Sequence, residues 1–310
     1  MTGTEAVNSV HLHRNRVRVT GSIPLAVIGG SGFYDMPGLV AIEEVEVDTP
    51  YGRPSDAIRI GAIGGTRVAF LARHGRGHRL LPSELPQRAN FWALKRLGVE
   101  RVLSISAVGS LREDCAPGHL VTPDQLIDRT NGGRPATFFG DGVVAHIAFA
   151  EPFCPALRLA ARDAAQAAGA TVHGSGTYVV IEGPAFGTRA EGELQRGWGA
   201  SVVGMTALPE AKLAREAELC YATLAAVTDY DAGHAGHEAV DARTVFDTLK
   251  QNVAVAQEAV RNLAGALPGR GACGCAAALD AALVTSPEMI GEGDRQRLGP
   301  ILERRLGVTV

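Results

Sequence analysis

The segment from Tyr221 to Asp231 constrains the fold of this chain most strongly. Residues 221–228 form an apolar run of strand length, Tyr-Ala-Thr-Leu-Ala-Ala-Val-Thr. A continuous apolar run of this kind predicts a strand buried on both faces, with helices above and below the sheet. The run ends in Asp229-Tyr230-Asp231, and alternate residues of extended backbone share a side. The sequence therefore predicts a pair of carboxyl groups at the carboxyl end of a buried strand.

Apolar strands alternate with amphipathic helical segments along most of the chain. This order predicts an α/β fold, a single domain with a mixed, mostly parallel central sheet flanked by helices. We expect a disordered N-terminal arm over residues 1–23, the main domain over 24–267 and a helical C-terminal extension over 268–310. The predicted strands are 25–29, 57–61, 66–72, 101–106, 178–181 and 221–228, and the predicted helices are 85–97, 156–168, 188–198, 209–218 and 242–267.

The composition disfavours two classes of partner. The formal net charge is −3, so the chain has no basic excess with which to bind nucleic acid. No apolar run approaches the roughly 20 residues that a membrane-spanning helix needs. The first 23 residues are polar and basic, without an apolar stretch ahead of a cleavage site. We therefore expect a cytoplasmic protein that binds neither nucleic acid nor membrane.

The five cysteines do not form a paired framework in the sequence. Cys115, Cys154 and Cys220 stand singly, and only Cys273 and Cys275 lie close together. A zinc site at this close pair would need two further ligands at zinc spacing, which the sequence does not offer. Reduced thiols are the preferred interpretation, and no metal site is predicted.

Groups that bind anions follow three of the predicted strands. Hydroxyl, guanidinium, imidazole and backbone N–H groups all hydrogen-bond to oxyanions. The residues concerned are Ser31, Arg73, His74, Ser106 and Ala107. Taken one at a time, an ordinary turn at Ser31 and a solvated basic turn at Arg73 remain open. A dinucleotide site in the first turn is disfavoured because Asp35 stands where a third glycine is needed.

A long segment rich in turn residues covers residues 115–142. Long loops in compact domains are often functional. His146 follows this segment in an apolar context, where a satisfied core histidine is the safer interpretation of a single residue.

Several motifs together resemble the trimeric purine nucleoside phosphorylase family, and within it the branch that acts on methylthioadenosine. The motifs span roughly residues 25 to 265, in order and at compatible spacing. They are VIGGSG (27–32), VDTPYGRPSD (47–56), LARHGR (71–76), GSLR (109–112), QLIDRT (125–130), EPFCP (151–155), EGPAF (182–186) and MT (205–206).

The resemblance implies the nucleoside phosphorylase fold and phosphorolysis of an N-glycosidic bond. Orthophosphate, a co-substrate, attacks the anomeric carbon, and free purine and a pentose 1-phosphate leave. No metal or organic cofactor is implied. The implied phosphate ligands are Ser31, Arg73, His74, Ser106, Ala107 and Thr206. Met205 would lie under the ribose and Phe186 against the purine.

The resemblance also bears on which base is bound. Gly204 is common in relatives that act on 6-oxopurines, whereas Gly187 and the Asp229-Tyr230-Asp231 sequence match the adenine-acting branch. Adenine presents an acceptor at N7 beside a donor at its 6-amino group. Two carboxyls that share one proton offer the matching donor and acceptor. We expect protonated Asp229 to serve N7 as the catalytic acid and ionised Asp231 to accept from the amino group.

The implied pocket for the sugar's 5′ end is bordered by His146, Ala242 and Val245. Small apolar residues at the last two positions favour a methylthio group over a hydroxyl. A neighbouring subunit completes this pocket in related trimers, so we expect a homotrimer, with pairing into hexamers left open. The expected reaction converts S-methyl-5′-thioadenosine and phosphate to adenine and 5-methylthioribose 1-phosphate, a step of purine and methionine salvage.

Other functions remain open at this point. The enzymatic alternatives are a phosphorylase for another 5′-modified adenosine, for methylthioinosine, or for purine nucleosides in general. A non-catalytic adenosine sensor is disfavoured because every phosphate ligand is retained. A dinucleotide-dependent oxidoreductase is disfavoured by the incomplete glycine pattern.

Overall fold

The structure is a computed structural model that describes residues 21–30, 36–232 and 242–307. The strands are β1 (Leu25–Gly29), β2 (Val40–Val45), β3 (Ile58–Ile63), β4 (Thr66–Ala72), β5 (Arg101–Ser110), β6 (Leu120–Val121), β7 (Gln125–Arg129), β8 (Val172–His173), β9 (Thr177–Ile181), β10 (Val202–Gly204) and β11 (Cys220–Tyr230). The α-helices are α1 (Gln87–Arg96), α2 (Pro155–Ala167), α3 (Arg189–Gly197), α4 (Ala207–Glu216), α5 (Ala242–Gly265), α6 (Glu292–Leu298) and α7 (Glu303–Leu306).

The eleven strands found in the described residues belong to one mixed sheet. Its main path runs β2-β3-β4-β1-β5-β10-β9-β7, and β11, β6 and β8 branch from β5. Strands β4, β1, β5 and β11 are parallel, whereas the hairpin β3-β4 and the pairs β2-β3, β5-β10 and β6-β11 are antiparallel. The predicted fold class is confirmed. Because the parallel strands end at one edge, their carboxyl ends bring distant segments together.

Helices cover both faces of the sheet, as the apolar strand at 221–228 requires. Along β11, Tyr221 and Ala225 pack into the cluster that contains α1 and α4, whereas Ala222 and Leu224 pack into the cluster that contains α2 and α5. Side chains of a strand alternate between faces, so β11 contributes to both cores. A strand buried in this way holds the residues at its end in a fixed position.

The chain after the long helix packs onto the core. Trp92 of α1 donates its indole N–H to the carbonyl of Arg297, and Glu218 accepts the backbone N–H of Leu279. Leu298 and neighbouring apolar residues join the same hydrophobic cluster as α1. In residues 268–307, α6 and α7 alternate with short 3-10 helices.

Some predicted boundaries differ from the structure. Ile23, which the sequence analysis assigns to the arm, is fully buried and pairs with Val99, so the ordered fold begins before residue 24. Short strands such as β6, β8 and β10 escape prediction because two or three residues show no periodicity. Among the described residues, no helix is both long and apolar enough to cross a membrane.

Candidate active site

The carboxyl ends of β5 and β11 form the floor of the candidate site. These neighbouring parallel strands run in register from Cys220 beside Arg101 as far as Val227 beside Val108. A register shift follows, after which Asp229 lies beside Gly109. A β-bulge of this kind redirects side chains and is common next to active sites. The predicted acids therefore leave β11 at an irregular strand end.

A cavity of about 340 Å³ opens at this edge of the sheet. Its volume lies within the range of small-molecule sites. Its lining includes most of the residues predicted from the sequence. These are Arg73, His74, Ser106, Ala107, Phe186, Met205, Thr206, Asp229, Asp231 and Val245.

The two aspartates are buried within this lining. Asp229 accepts a hydrogen bond from the Thr228 hydroxyl at 2.7 Å, and the backbone N–H of Asp231 donates to the Ser110 carbonyl at 2.9 Å. A Cβ added to Gly109 would lie 3.1 Å from Oδ1 of Asp229 and 3.2 Å from Cβ of Asp231. Glycine at this position lets both acids lie against β5.

The electrostatics of the two acids differ. Burial raises the pKa of Asp229, and the Thr228 hydroxyl opposes that rise. Burial, with a smaller contribution from Asp229, raises the pKa of Asp231 to about 6. Oδ2 of Asp231 is buried and has no hydrogen-bond partner among the described residues. In the free protein, the carboxyl with an unpartnered oxygen is therefore Asp231. The sequence instead predicts that, with substrate bound, the shared proton lies on Asp229.

Three buried hydroxyls form a polar group at the site, and two of their residues, Ser106 and Thr206, line the cavity. The three hydroxyls belong to Ser106, Thr206 and Tyr178, and none makes a hydrogen bond within the described part of the chain. Burial raises the pKa of Tyr178, and the two neighbouring hydroxyls oppose that rise, so all three lie close together. Thr206 is the N-cap residue of α4, yet its side chain makes no capping bond. Buried hydroxyls without partners are costly, so they are suited to an oxygen-rich ligand.

Arg73 lies at the cavity, but most of its hydrogen-bonding capacity is already used. Its Nε donates to Glu210 at 2.6 Å, and Nη1 donates to the Ile105 carbonyl at 2.8 Å. Nη2 donates to Ser104 at 2.7 Å and to the Ile28 carbonyl at 3.2 Å. A guanidinium has five N–H donors, so one remains. The two parallel N–H donors with which a guanidinium can bind phosphate are therefore not both available at Arg73.

His74 is a neutral imidazole in this structure. Burial, with a further contribution from Arg73, lowers its pKa to about 4. Nδ1 lies 2.8 Å from the Leu80 carbonyl, which can only accept, so Nδ1 carries the hydrogen. Nε2 is then an acceptor. His74 can therefore bind phosphate as an acceptor, and this tautomer suits the protonated oxygen of a hydrogen phosphate.

Met205 and Phe186 border the cavity from the β9 and β10 side. A Cβ on Gly183 would lie 2.5 Å from the Met205 sulfur, so the EGPAF loop packs directly against this methionine. Phe186 is 42% exposed, which leaves one face of its ring available. Val245 of α5 also lines the cavity.

One predicted site residue that the structure describes, His146, does not line the cavity. His146 is exposed, is absent from the lining, and donates its backbone N–H to Ala282 of the C-terminal extension at 2.8 Å. It is therefore not the core histidine that its apolar context suggested. Ser31 and the side chain of Ala242 lie outside the described residues.

Arg134 is a residue of the site's framework that sequence reasoning missed. It comes from the long segment 115–142 and is 8% exposed. Its Nε donates to Glu182 at 2.8 Å, and its Nη1 donates to the carbonyls of Met205 at 2.6 Å and Leu208 at 2.9 Å. Arg134 thereby joins the EGPAF loop to the segment that carries Met205 and Thr206. A lone arginine in a loop gives no sequence signal for such contacts.

Comparison with known proteins identifies relatives of this architecture. Residues 24–267 match the sequence profile of the Phosphorylase superfamily. An S-methyl-5′-thioadenosine phosphorylase of Chloroflexus aurantiacus is 57% identical over 91% of this chain and 98% of its own length. A methylthioadenosine phosphorylase from an antarctic soil metagenomic library, solved by crystallography, is 46% identical with a TM-score of 0.85, covering 91% of this chain and 99% of its own.

A third relative was solved with a ligand. The methylthioadenosine phosphorylase of Schistosoma mansoni in complex with adenine is 35% identical with a TM-score of 0.80. The match covers 85% of this chain and 99% of that one. The profile match covers more than half of the chain, and these identities extend over most of its length. The chain belongs to the Phosphorylase superfamily.

Proposed function

We propose that this chain catalyses phosphorolysis of S-methyl-5′-thioadenosine, giving adenine and 5-methylthioribose 1-phosphate. One observation carries the proposal. The lining of one cavity contains two buried carboxyls, Asp229 and Asp231, together with the unpartnered hydroxyls of Ser106 and Thr206. A cleaved N-glycosidic bond needs such a pair, an acid for the leaving base and donors for the attacking anion.

On the phosphate side, Ser106 and Thr206 donate hydroxyl hydrogens to phosphate oxygens, and the backbone N–H of Ala107 is an additional donor. His74 accepts from the one protonated oxygen of hydrogen phosphate, in agreement with its neutral state. Arg73 supplies one N–H and a positive charge that Glu210 largely balances. Ser31 is the remaining proposed ligand. These groups hold the nucleophile beneath the anomeric carbon and reduce the entropic barrier to attack.

On the base side, the carboxyl pair hydrogen-bonds to N7 and the 6-amino group of adenine. Asp229 donates a proton to N7 as the glycosidic bond breaks, and Asp231 accepts from the 6-amino group. Burial raises the pKa of both acids, which favours a proton shared between them. General-acid catalysis contributes about 10² to 10⁴ in rate, so Asp229→Ala should be nearly inactive. Phe186 lies against the purine, and Met205 lies beneath the ribose.

At the sugar's 5′ end, Val245 and Ala242 favour a methylthio group over a hydroxyl. Burial of a few apolar atoms discriminates by only about 1 to 3 kcal/mol. Another 5′-modified adenosine therefore remains a candidate substrate, and so do methylthioinosine and unmodified purine nucleosides. Their relative efficiencies decide among these alternatives.

The assembly is part of the proposal. We assign a homotrimer, in which His146 of one subunit reaches the 5′ pocket of a neighbour, because His146 is exposed and does not line the cavity of its own chain. Sedimentation that gives a fully active monomer would contradict this assignment. We also assign the chain to the cytoplasm, where a reducing environment keeps its five thiols free.

The reaction itself uses no metal or organic cofactor in this proposal. Each step is assigned to a side chain or backbone group of the cavity. Initial rates measured at low temperature with and without a chelator should therefore be equal. A loss of rate that added metal restores would overturn this part of the proposal.

The decisive experiment is chromatography of the purified chain mixed with phosphate and one nucleoside at a time. The nucleosides are methylthioadenosine, methylthioinosine, adenosine and inosine. We expect adenine from methylthioadenosine, only when phosphate is present, at the highest kcat/KM. Release of base without phosphate would indicate a hydrolase, and a strong preference for adenosine would refute the 5′ pocket.

A further inference from the structure

Four cysteines that are far apart in the sequence meet at the amino end of β11. The sulfur atoms of Cys154, Cys220, Cys273 and Cys275 all lie within 4.8 Å of one another. Among the described residues, this is the one group of three or more histidine, cysteine or acidic side chains close enough to share a metal ion. In the sequence, Cys154 and Cys220 stand as single thiols. The fold supplies the two further ligands that the pair Cys273 and Cys275 lacked.

Three separate parts of the fold hold these side chains. Cys220 is the first residue of β11, and Cys154 is the N-cap residue of α2. The backbone N–H of Cys154 donates to the Tyr221 carbonyl at 2.8 Å, which fixes the two segments together. Cys273 and Cys275 belong to the C-terminal extension, whose path is held by the bond from Arg101 to the Pro268 carbonyl at 2.7 Å.

We propose that Cys154, Cys220, Cys273 and Cys275 bind one Zn²⁺ ion as a tetrahedral tetrathiolate site. Zinc in structural sites is bound by four ligands, with zinc–sulfur distances of about 2.3 Å. The edge of such a tetrahedron is about 3.8 Å, well within the spacing of these four sulfurs. A site of four soft sulfur ligands selects zinc over hard cations such as Mg²⁺.

The surroundings of the cluster fit a closed structural site. Cys154 and Cys275 are buried, and the other two are half-buried. The sulfur of Cys154 accepts the backbone N–H of Leu157 at 3.5 Å, a bond to the ligand of the kind that orients metal sites. The N-terminal end of α2 also favours negative charge on this sulfur.

The convergence of all four sulfurs favours a metal over two disulfides. Two disulfides need only two close pairs, and nothing requires those pairs to approach each other. Here Cys220 and Cys273 are 3.4 Å apart, and both are also close to Cys154 and Cys275. A single central ion accounts for every one of these approaches.

The site lies far from the chemistry. Cys220 and Asp229 are nine residues apart on the extended strand β11, which corresponds to about 30 Å. The bound ion fastens the C-terminal extension to the start of β11 and to α2. Its expected effect is on stability, because the catalytic cavity is formed at the other end of the same strand.

The test is metal analysis of the full chain. Protein purified under reducing conditions and dialysed should contain about one zinc per chain by plasma mass spectrometry. Replacement of zinc with Co²⁺ should give the intense visible bands of tetrahedral cobalt and the sulfur-to-cobalt charge-transfer band. Reduced protein that stays free of metal after incubation with Zn²⁺ and dialysis would overturn the proposal.

Variants separate this cluster from the remaining cysteine. Cys273→Ser/Cys275→Ser should lose at least nine-tenths of the zinc, whereas Cys115→Ser, a buried cysteine outside the cluster, should keep it. Zinc removal should lower the Tm of wild type by several degrees and leave the double variant's Tm unchanged.

If the double variant fails to fold, thiol titration of wild type remains decisive. Five thiols in denaturant with chelator and no reductant agree with a metal site, and fewer would indicate disulfides and overturn it.

Discussion

The hydroxyl of Tyr178 occupies the space that a side chain at Gly204 would need. A Cβ placed on Gly204 would lie 2.3 Å from the tyrosine oxygen and 2.9 Å from the ring carbon that bears it. Tyr178 is fully buried in β9, which runs parallel to β10 with Val180 beside Gly204. Glycine in the sequence Gly204-Met205-Thr206 thus has a steric cause within the fold. Its presence therefore does not indicate a preference for 6-oxopurines.

Gly204→Ala should destabilise the protein and reduce activity, because the new methyl group displaces Tyr178 from the hydroxyls of Ser106 and Thr206. Overpacking of a rigid core costs about 1 to 3 kcal/mol. Adding Tyr178→Phe removes the atom in closest contact and should recover part of the lost stability. Thermal melts of both single variants and the double variant give the coupling energy. Gly197→Ala is a matched control, since no atom lies within 4 Å of its added Cβ. Strict additivity of the two changes would contradict the steric account.

The main effect of removing the Arg73 side chain should be a loss of fold stability, and a weaker affinity for phosphate should be secondary. Arg73 and Glu210 form a fully buried ion pair, and Glu210 also accepts from Tyr221 at 2.9 Å. Loss of one member of a buried pair costs about 3 to 5 kcal/mol. We expect Arg73→Ala to show a large fall in Tm or to aggregate. A soluble variant with an unchanged Tm and only a raised KM for phosphate would show that the ion pair contributes less to stability than its burial implies.

Ser106→Ala tests the phosphate site without this structural cost. The Ser106 hydroxyl lies beside the Tyr178 hydroxyl but makes no hydrogen bond of ordinary geometry among the described residues, so its removal should cost little stability. A hydrogen bond to a charged group contributes about 1.5 to 3 kcal/mol, so KM for phosphate should rise about 10- to 100-fold. KM for the nucleoside should change much less. Thr122→Val is the control, because Thr122 also carries a buried, unpartnered hydroxyl but does not line the cavity. Equal effects on both substrates would contradict the assignment.

The features predictable from sequence were those encoded by local patterns. The apolar run of β11 predicted that this strand is buried, and the last residues of the run predicted a pair of carboxyl groups at the strand end. Contacts between residues that are far apart in the sequence could not be predicted. Arg73 and Glu210 are 137 positions apart, and no local pattern indicates that they form a buried pair. The four cysteines and the contacts of Arg134 escaped prediction for the same reason, since only the assembled sheet brings these segments together.

Glu216 gives the protein a measurable dependence of stability on pH. It is buried, accepts from the Thr137 hydroxyl and the Phe138 N–H at 2.7 Å each, and burial raises its pKa from 4.5 to about 7. Because the folded pKa lies above the unfolded one, the folded state holds more protons between about pH 4.5 and 7. The contribution of Glu216 to the free energy of unfolding therefore falls as pH rises through this range.

Glu216→Gln should remove this dependence. The amide oxygen can accept from Phe138 while its nitrogen donates to Thr137. The variant should be more stable than wild type at pH 8 by roughly 2 to 3 kcal/mol, with the difference shrinking toward pH 4.5. Urea unfolding at several pH values measures it, with the exposed Glu288→Gln as control. A stability difference that is constant with pH would contradict the raised pKa.

Asp231 should set the acidic limit of activity toward adenine nucleosides. Its pKa is raised to about 6, chiefly by burial, and it must be ionised to accept from the 6-amino group. The value of kcat/KM for methylthioadenosine should therefore fall as pH drops through about 6. Asp231→Asn cannot ionise, so this limb of the profile should disappear. A profile that keeps its acidic limb in the variant would assign the limb to another group.

The same variant tests which base the site prefers. A 6-oxopurine presents an acceptor at O6, and the amide of Asp231→Asn can supply the donor that an ionised carboxylate lacks. The ratio of kcat/KM for methylthioinosine to that for methylthioadenosine should rise at least tenfold, because one mismatched polar contact is exchanged for a matched one. Glu191→Gln is the matched control, since Glu191 is an exposed acid that interacts electrostatically with Asp231 but does not line the cavity. If the ratio is the same in wild type and Asp231→Asn, Asp231 does not contact the 6-position, and Asp229 alone would have to distinguish the two bases.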